Sequence, residues 1–317
     1  MLSNKKIKKV LITIIIAFII FAIISFSATV VIYNSTFPRY DCGITGYAEE
    51  LQNTINLRES KSYKSGENTL FGFLYNCPYE NKKDTLIILA PGHNACADSY
   101  LWQIKELLEY GWSVFAFDTT GTCHSEGKSN VGFSQEVLDL KATLEYINTN
   151  QNLGYSNIAL LGHSRGGYAV CGVLEEHPEV TAVVSISGVN KAMDAVIEPA
   201  TRYMGALAYG NYPMLWFYQS ILFGTDVLNV EAVHAINQAD VPVLIVHGST
   251  DDTVSMDKTA IMAYRDEIRS EKVEYYICDQ PGQSGHTDLL FDRDGTENDV
   301  LMTKIHEFYQ RSINMRG

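Results

Sequence analysis

The residues best suited to chemistry in this 317-residue chain are Gly162-His163-Ser164-Arg165-Gly166-Gly167. The run NIALL at 157–161 ahead of them reads as a strand, and 168–177 after them has helical spacing of apolar residues. A G-x-S-x-G segment between strand and helix makes a turn so sharp that its serine takes strained backbone angles. Glycines at 162 and 166 remove side chains that would collide across that turn. The Ser164 hydroxyl then stands at a helix start, whose dipole favours a developing oxyanion. A phosphate-binding turn would instead want G-x-G-x-x-G after the first strand, which does not fit here. A serine hydroxyl is a poor nucleophile alone. It needs an imidazole to take its proton, and the imidazole needs a carboxylate to fix its tautomer.

Those groups require a frame. Short runs rich in Val and Ile recur at 85–90 (TLIILA), 113–117 (SVFAF), 157–161, 182–187 (AVVSIS), 242–247 (PVLIVH) and 273–278 (VEYYIC). They are nearly continuous in hydrophobicity, as buried parallel strands are. SYKSGENTLFGFLY adds a hairpin-like pair around Gly66. Helical spacing appears at 99–110, 133–148 and 168–177. Strands alternating with helices imply βαβ units and a sheet covered on both faces. Chemistry in such sheets collects at the carboxyl ends of the strands.

The strand–turn–helix around Ser164 resembles the nucleophile turn of the α/β-hydrolase superfamily, in particular its exported lipase, esterase and acyl-aminopeptidase-like branch. The resemblance covers roughly residues 60–312. It implies an α/β-hydrolase fold: a mostly parallel eight-stranded sheet, helices on both faces and a helical cap. It also implies the chain order serine, acid, histidine. His247-Gly248-Ser249-Thr250-Asp251-Asp252-Thr253-Val254 is similar to the family's H-G-x-x-D-x-x-V acid loop, which maps the acid onto Asp251 with Asp252 as the adjacent competitor. Pro281-Gly282-Gln283-Ser284-Gly285-His286 follows the last strand, where the family keeps its base, so His286 is the expected imidazole. His163 should turn its side chain away from the hydroxyl, and His247 should serve as packing. His177, His234 and His306 read as surface or helix residues.

Acyl transfer also needs backbone N–H donors aimed at the developing oxyanion. The resemblance gives one to Arg165. The other falls in Pro91-Gly92-His93-Asn94, similar to the family's H-G-x loop with Pro91 in place of its His; the donor is His93, with Asn94 as the alternative. Asp118-Thr119-Thr120-Gly121-Thr122-Cys123-His124-Ser125-Glu126-Gly127 resembles the D-x-x-G-x-G-x-S-x-G loop, with Cys123 replacing the second glycine. That placement sets Cys96 and Cys123 in loops after adjacent strands, and a Cys96–Cys123 disulfide is expected, with Cys42–Cys77 as a second pair. Cys171 and Cys278 read as buried thiols.

Residues 189–240 exceed an ordinary connection, and the family inserts its cap there. The insert holds Tyr203, Met204, Leu207, Tyr209, Trp216 and Phe217, which suit an apolar acyl pocket or simply seat the cap. The implied activity is carboxylic ester hydrolysis through an acyl-enzyme. Peptidase or amidase action with the same triad, acyl transfer to an alcohol, and a non-catalytic cell-surface binding protein are the rivals. A haloalkane dehalogenase would carry Asp where Ser164 stands. No metal-ligand spacing is seen, and triad chemistry needs no cofactor.

The chain begins with a basic tail (1–9) and an uncharged apolar run at 10–33. As a helix the run spans ~36 Å, enough for a bilayer core of about 30 Å. Lys5, Lys6, Lys8 and Lys9 ahead of it place the N-terminus in the cytoplasm and the rest outside. A cleaved signal peptide, cut near Ser25, Ser27 or Ala28, is the alternative. Residues 34–62 read as a linker and approach segment, and 63–317 as the catalytic domain. Of 24 basic and 37 acidic residues, 5 basic and no acidic ones lie in residues 1–40, so the remainder has 19 basic against 37 acidic, a net of −18. Such a body repels nucleic acid.

Overall fold

The computed structural model describes residues 4–43, 47–150, 153–292 and 294–314. Eight strands make one sheet: β1 (Arg58–Ser65), β2 (Asn68–Tyr75), β3 (Thr85–Ala90), β4 (Ser113–Asp118), β5 (Asn157–His163), β6 (Val180–Ile186), β7 (Val243–Gly248) and β8 (Val273–Cys278). Their order is β1-β2-β4-β3-β5-β6-β7-β8. β1 and β2 pair antiparallel, as does β2 with β4; every other neighbour is parallel.

The apolar runs explain the layering. β3, β4, β6 and β7 are buried at every residue, so both faces must be covered. One face packs under α4 (Phe133–Thr149), α5 (Arg165–Gly172) and α10 (Ala232–Gln238). The other packs under α3 (Leu101–Glu109) and α11 (Asp299–Asn314), where Trp112, Phe308 and Tyr309 fill the core. β8 alternates between covered and open residues because it is an edge strand.

Between β6 and α10 the chain leaves the sheet as four helices, α6 (Ala192–Met204), α7 (Leu207–Gly210), α8 (Tyr212–Phe223) and α9 (Thr225–Leu228). The N-terminal helix α1 (Asn4–Thr36) extends the apolar run at both ends. It lies against α8, with Phe26 on Phe217 and Tyr33 on Tyr218. Asn211 joins the two helices, accepting from Ser25 Oγ at 2.6 Å and donating to Thr29 Oγ1 at 2.6 Å.

The segment read as a linker is built into the body. It contains α2 (Glu49–Asn56), and β1 begins at Arg58, earlier than the hairpin pattern suggested. Arg39 donates to the carbonyls of Cys123, Ser125 and Gly127, which pins the loop after β4. Tyr40 donates its N–H to Gly121 and accepts from the Cys123 N–H. Both disulfide expectations are corrected by the same contact: Cys42 is bonded to Cys123, with Cα atoms 5.2 Å apart. Cys77 and Cys96 are buried free thiols, as are Cys171 and Cys278. The expected bridges do not form because the segment 37–42 runs across the β4 loop, with isolated β-bridges from Pro38 to Ser129 and from Tyr40 to Thr122, and sets Cys42 against Cys123.

Peptide mapping of unreduced, alkylated protein should find Cys42 joined to Cys123 and Cys77 alkylated. Cys42→Ser should lower unfolding stability by about 2–4 kcal/mol, since the bridge closes a loop of 81 residues. An unchanged denaturation midpoint would count against the bridge.

Candidate active site

The turn after β5 sets the geometry. Ser164 has φ 55° and ψ −114°, in the region that non-glycine residues avoid. Its N–H donates to the Ile186 carbonyl at 2.7 Å, and its carbonyl accepts from the Tyr168 N–H at 3.1 Å, so both sides of the strained residue are held. A Cβ on Gly162 would strike the Gly166 carbonyl, and one on Gly166 would strike that of Ala90. Only glycine lets β5, α5 and the end of β3 meet this closely.

The structure brings Ser164, His286 and Asp251 together in one hydrogen-bonded line. Ser164 Oγ lies 2.9 Å from His286 Nε2, and His286 Nδ1 lies 2.7 Å from Asp251 Oδ2. The Asp251 side chain is fully buried, and its other oxygen accepts the N–H groups of Thr253 and Val254 at 2.9 Å each. Burial alone would raise its pKa. The bonds from His286 and the Val254 N–H, with the charge of His286, outweigh that and hold the carboxyl below its usual range. Asp252 is exposed and, among the described residues, its side chain accepts from Thr253 Oγ1 at 3.4 Å.

Two histidines expected to be passive hold the site's loops. His163 Nε2 lies 2.9 Å from the His286 carbonyl, and its Nδ1 lies 3.0 Å from Tyr100 Oη. A carbonyl can only accept, so Nε2 carries the proton and Nδ1 accepts from the Tyr100 hydroxyl. Tyr100 in turn accepts from the Gly92 N–H at 2.9 Å. The loop after β3 and the loop after β8 are thereby joined through a neutral imidazole. Burial pushes the His163 pKa down to about 3, which keeps it neutral. His247 Nε2 lies 3.1 Å from the Val254 carbonyl and 3.3 Å from Asp251 Oδ2, so it braces the acid loop rather than only packing. Neither role has a local sequence signal, because each depends on partners more than sixty residues away or on the shape of one loop.

Among the described hydrogen bonds, the N–H groups of His93 and Arg165 have no protein acceptor. Gly92 N–H is taken by Tyr100, and Asn94 adopts φ 53°. The His93 ring stands edge-on to Phe37 with centroids 5.3 Å apart, and burial lowers its pKa to about 4. Arg165 is buried; its Nε lies 2.9 Å from Glu136 Oε2 and its Nη2 donates to Thr119 Oγ1 at 2.8 Å. Burial pushes the Glu136 carboxyl up to about 8 against the pull of Arg165. Asp118 ties the β4 loop to the β3 loop by accepting from the Ala97 N–H at 3.0 Å and from His124 Nδ1 at 2.8 Å. Of the remaining histidines, His177 is buried beside Glu179, His234 is exposed, and His306 stacks on Tyr110.

The serine aminopeptidase S33 family matches residues 81–225. Cutinase est1 of Thermobifida alba is 24% identical over 247 residues, which cover 76% of this chain and 78% of that protein. An esterase of Pyrococcus furiosus superposes with a TM-score of 0.63 at 19% identity, covering 87% of this chain and 98% of that one. The chain has the α/β-hydrolase fold. A membrane phospholipase A described as a bacterial virulence factor also shares the hydrolase's fold, with a TM-score of 0.56 at 14% identity over 97% of this chain and 99% of that one.

The buried neutral histidines give this hydrolase an acid-sensitive stability. Unfolded His163 and His93 take up protons near pH 6.5, whereas the folded groups do so only near about 3 and about 4. Below pH ~6.5 the unfolded state therefore binds more protons, and stability falls as pH drops, flattening below pH ~3. Glu136, pushed up to about 8, works the other way between pH ~8 and ~4.5, so urea unfolding at pH 7.5 and 5 reads the histidine share as the difference between the unaltered chain and a histidine variant. His163→Asn should make the pH dependence shallower while costing about 1–3 kcal/mol at neutral pH. An identical slope in the variant would assign the effect elsewhere.

Proposed function

We propose that this hydrolase cleaves carboxylic acyl esters through an acyl-enzyme, with Ser164 as nucleophile, His286 as general base and then acid, and Asp251 as the carboxylate that orients it. The observation that carries the reading is the unbroken line from Ser164 Oγ through His286 to the buried Asp251 carboxylate. The His286 Nε2 takes the hydroxyl proton as Oγ adds to the carbonyl carbon, and returns it to the leaving alkoxide. The free N–H groups of His93 and Arg165 are the proposed oxyanion donors, each worth about 3–4 kcal/mol in the barrier.

Peptide cleavage by the same triad is the second reading, because the matching family is described as a serine aminopeptidase. The ester reading is preferred because the cavity between α1 and the cap, whose wall residue Phe37 meets the His93 ring, is lined chiefly by apolar side chains. An α-ammonium group would lose its hydration there without compensation.

We also propose that α1 is a retained signal anchor, N-terminus inside and catalytic domain outside. Cleavage near Ser25–Ala28 would cut away the Phe26 contacts with Phe217 and Tyr218 and the Ser25 bond to Asn211. The mass of the protein isolated from membranes should include residues 1–28, and a shortened chain in the medium would favour secretion.

A fluorophosphonate should label Ser164, and peptide mapping should find the adduct there and nowhere in Ser164→Ala. His286→Ala should remove ester turnover from a folded protein. Asp251→Asn should lower kcat by about 10³–10⁴-fold, while Asp252→Asn stays within about twofold. A folded protein that takes no label would point to a binding protein on this fold, and a reversed pair of aspartate results would move the acid by one residue.

A further inference from the structure

Between α1 and the cap lies a cavity of about 440 Å³, within the range of about 300–1,000 Å³ usual for small-ligand sites. The anchor helix itself forms one wall, through Ile32 and Tyr33. Ala195 and Ala200 of α6 and Leu215 of α8 form the others. Phe37 lines the cavity too, and its ring meets His93, the proposed oxyanion residue. Phe37 is thus shared between the wall of the cavity and the loop that carries His93.

The outer surface of the cap is equally unusual. Tyr203 is 91% exposed, Leu207 76%, Tyr209 61%, Ile221 60% and Phe217 52%. Phe217 and Ile221 are one turn apart and share a face of α8. Scattered exposed apolar residues need no explanation, but a concentration on one short segment marks a contact surface. Its position names the contact. Met214 and Phe217 form a groove with Phe18, Ile19 and Ile23 of α1, and Phe26 stacks on Phe217. Those α1 residues lie 7–15 positions before Tyr33, or ~10–22 Å along the helix at ~1.5 Å per residue. With 10–33 across a bilayer core of about 30 Å, this part of α8 stands at hydrocarbon depth.

We propose that α7 and α8 sit in the hydrocarbon of the bilayer beside the anchor, and that the cavity takes the acyl chain of a bilayer lipid, so that the substrates are long-chain acyl esters delivered from the membrane. This rests on the ester reading. A lipid chain passing from leaflet to cavity along α1 never exposes its methylenes to water. Ser164 Oγ bonds to the ester carbonyl carbon, and the bond to the lipid alcohol breaks. The proton taken by His286 goes to that alcohol, and water then releases the fatty acid from Ser164.

The test uses the full chain in phosphatidylcholine vesicles carrying a fluorogenic palmitoyl ester, with a water-soluble butyryl ester as reference. The palmitoyl ester should be preferred, and Ala200→Phe or Ala195→Phe, which fill the cavity, should lower the palmitoyl-to-butyryl ratio at least about tenfold. Fluorophosphonate labelling of Ser164 checks that each variant is folded. A butyryl preference in the unaltered chain, or an unchanged ratio in labelled variants, overturns the cavity proposal and leaves the ester reading standing. Absence of both turnover and label sinks the two together. Independently, a phosphatidylcholine with a photoreactive acyl chain should crosslink to peptides holding Ala200 or Leu215, and crosslinks confined to residues 10–24 overturn the proposal.

Discussion

The site is organised around one residue held where it would not rest alone. Ser164 occupies a left-handed conformation that costs of order 1–3 kcal/mol, and it persists because neighbours on three elements fix it. The Ile186 carbonyl from β6 takes its N–H, the first turn of α5 takes its carbonyl, and Gly162 and Gly166 allow the close approach of Ala90 at the end of β3. The strain has a structural use. It lifts the hydroxyl clear of the strand while the helix that begins at Arg165 turns its free N–H groups toward the same space.

Around that turn the loops are tied to one another rather than left to the sheet. The chain Gly92–Tyr100–His163–His286 connects the β3 loop to the β8 loop across the end of β5. Asp118 connects the β4 loop to the β3 loop. Arg39 and the Cys42–Cys123 bridge fasten the β4 loop to the segment that emerges from α1. Each link is buried or partly buried, so a broken one leaves an unpaired polar group as well as a freed loop. A displacement of α1 has a short path to His93 through Phe37, whose ring lies on it.

The sheet was legible because buried parallel strands must be continuously apolar. Six of its strands stand within a residue or two of the runs of Val and Ile, and the residues singled out at their carboxyl ends lie near one another. What the sequence concealed was the segment between helix and sheet. Residues 37–42 have no periodicity, and their contacts are one guanidinium, one ring and one thiol, each reaching more than fifty positions along the chain. The Cys pairing was misread for that reason: strand order predicts which loops are neighbours but not which segment from outside the sheet crosses them. The supporting roles of Tyr100, His163 and His247 were hidden likewise, since a neutral histidine bonded to a carbonyl looks like any buried ring.

The charge pattern adds a last constraint. Beyond residue 40 the chain carries a net of −18, so its mean field pushes it away from anionic headgroups. A domain with that charge gains little from electrostatics at a membrane surface; its closeness has to come from apolar burial. The exposed face of α7 and α8 beside α1 is where such burial is on offer, and the acidic residues crowd elsewhere, as in the loops after β7 and β8. An orientation that sets the cap down and the acidic surface up satisfies both terms at once. The same orientation turns the cavity between α1 and the cap toward the leaflet, as the proposed retention of α1 in the membrane requires.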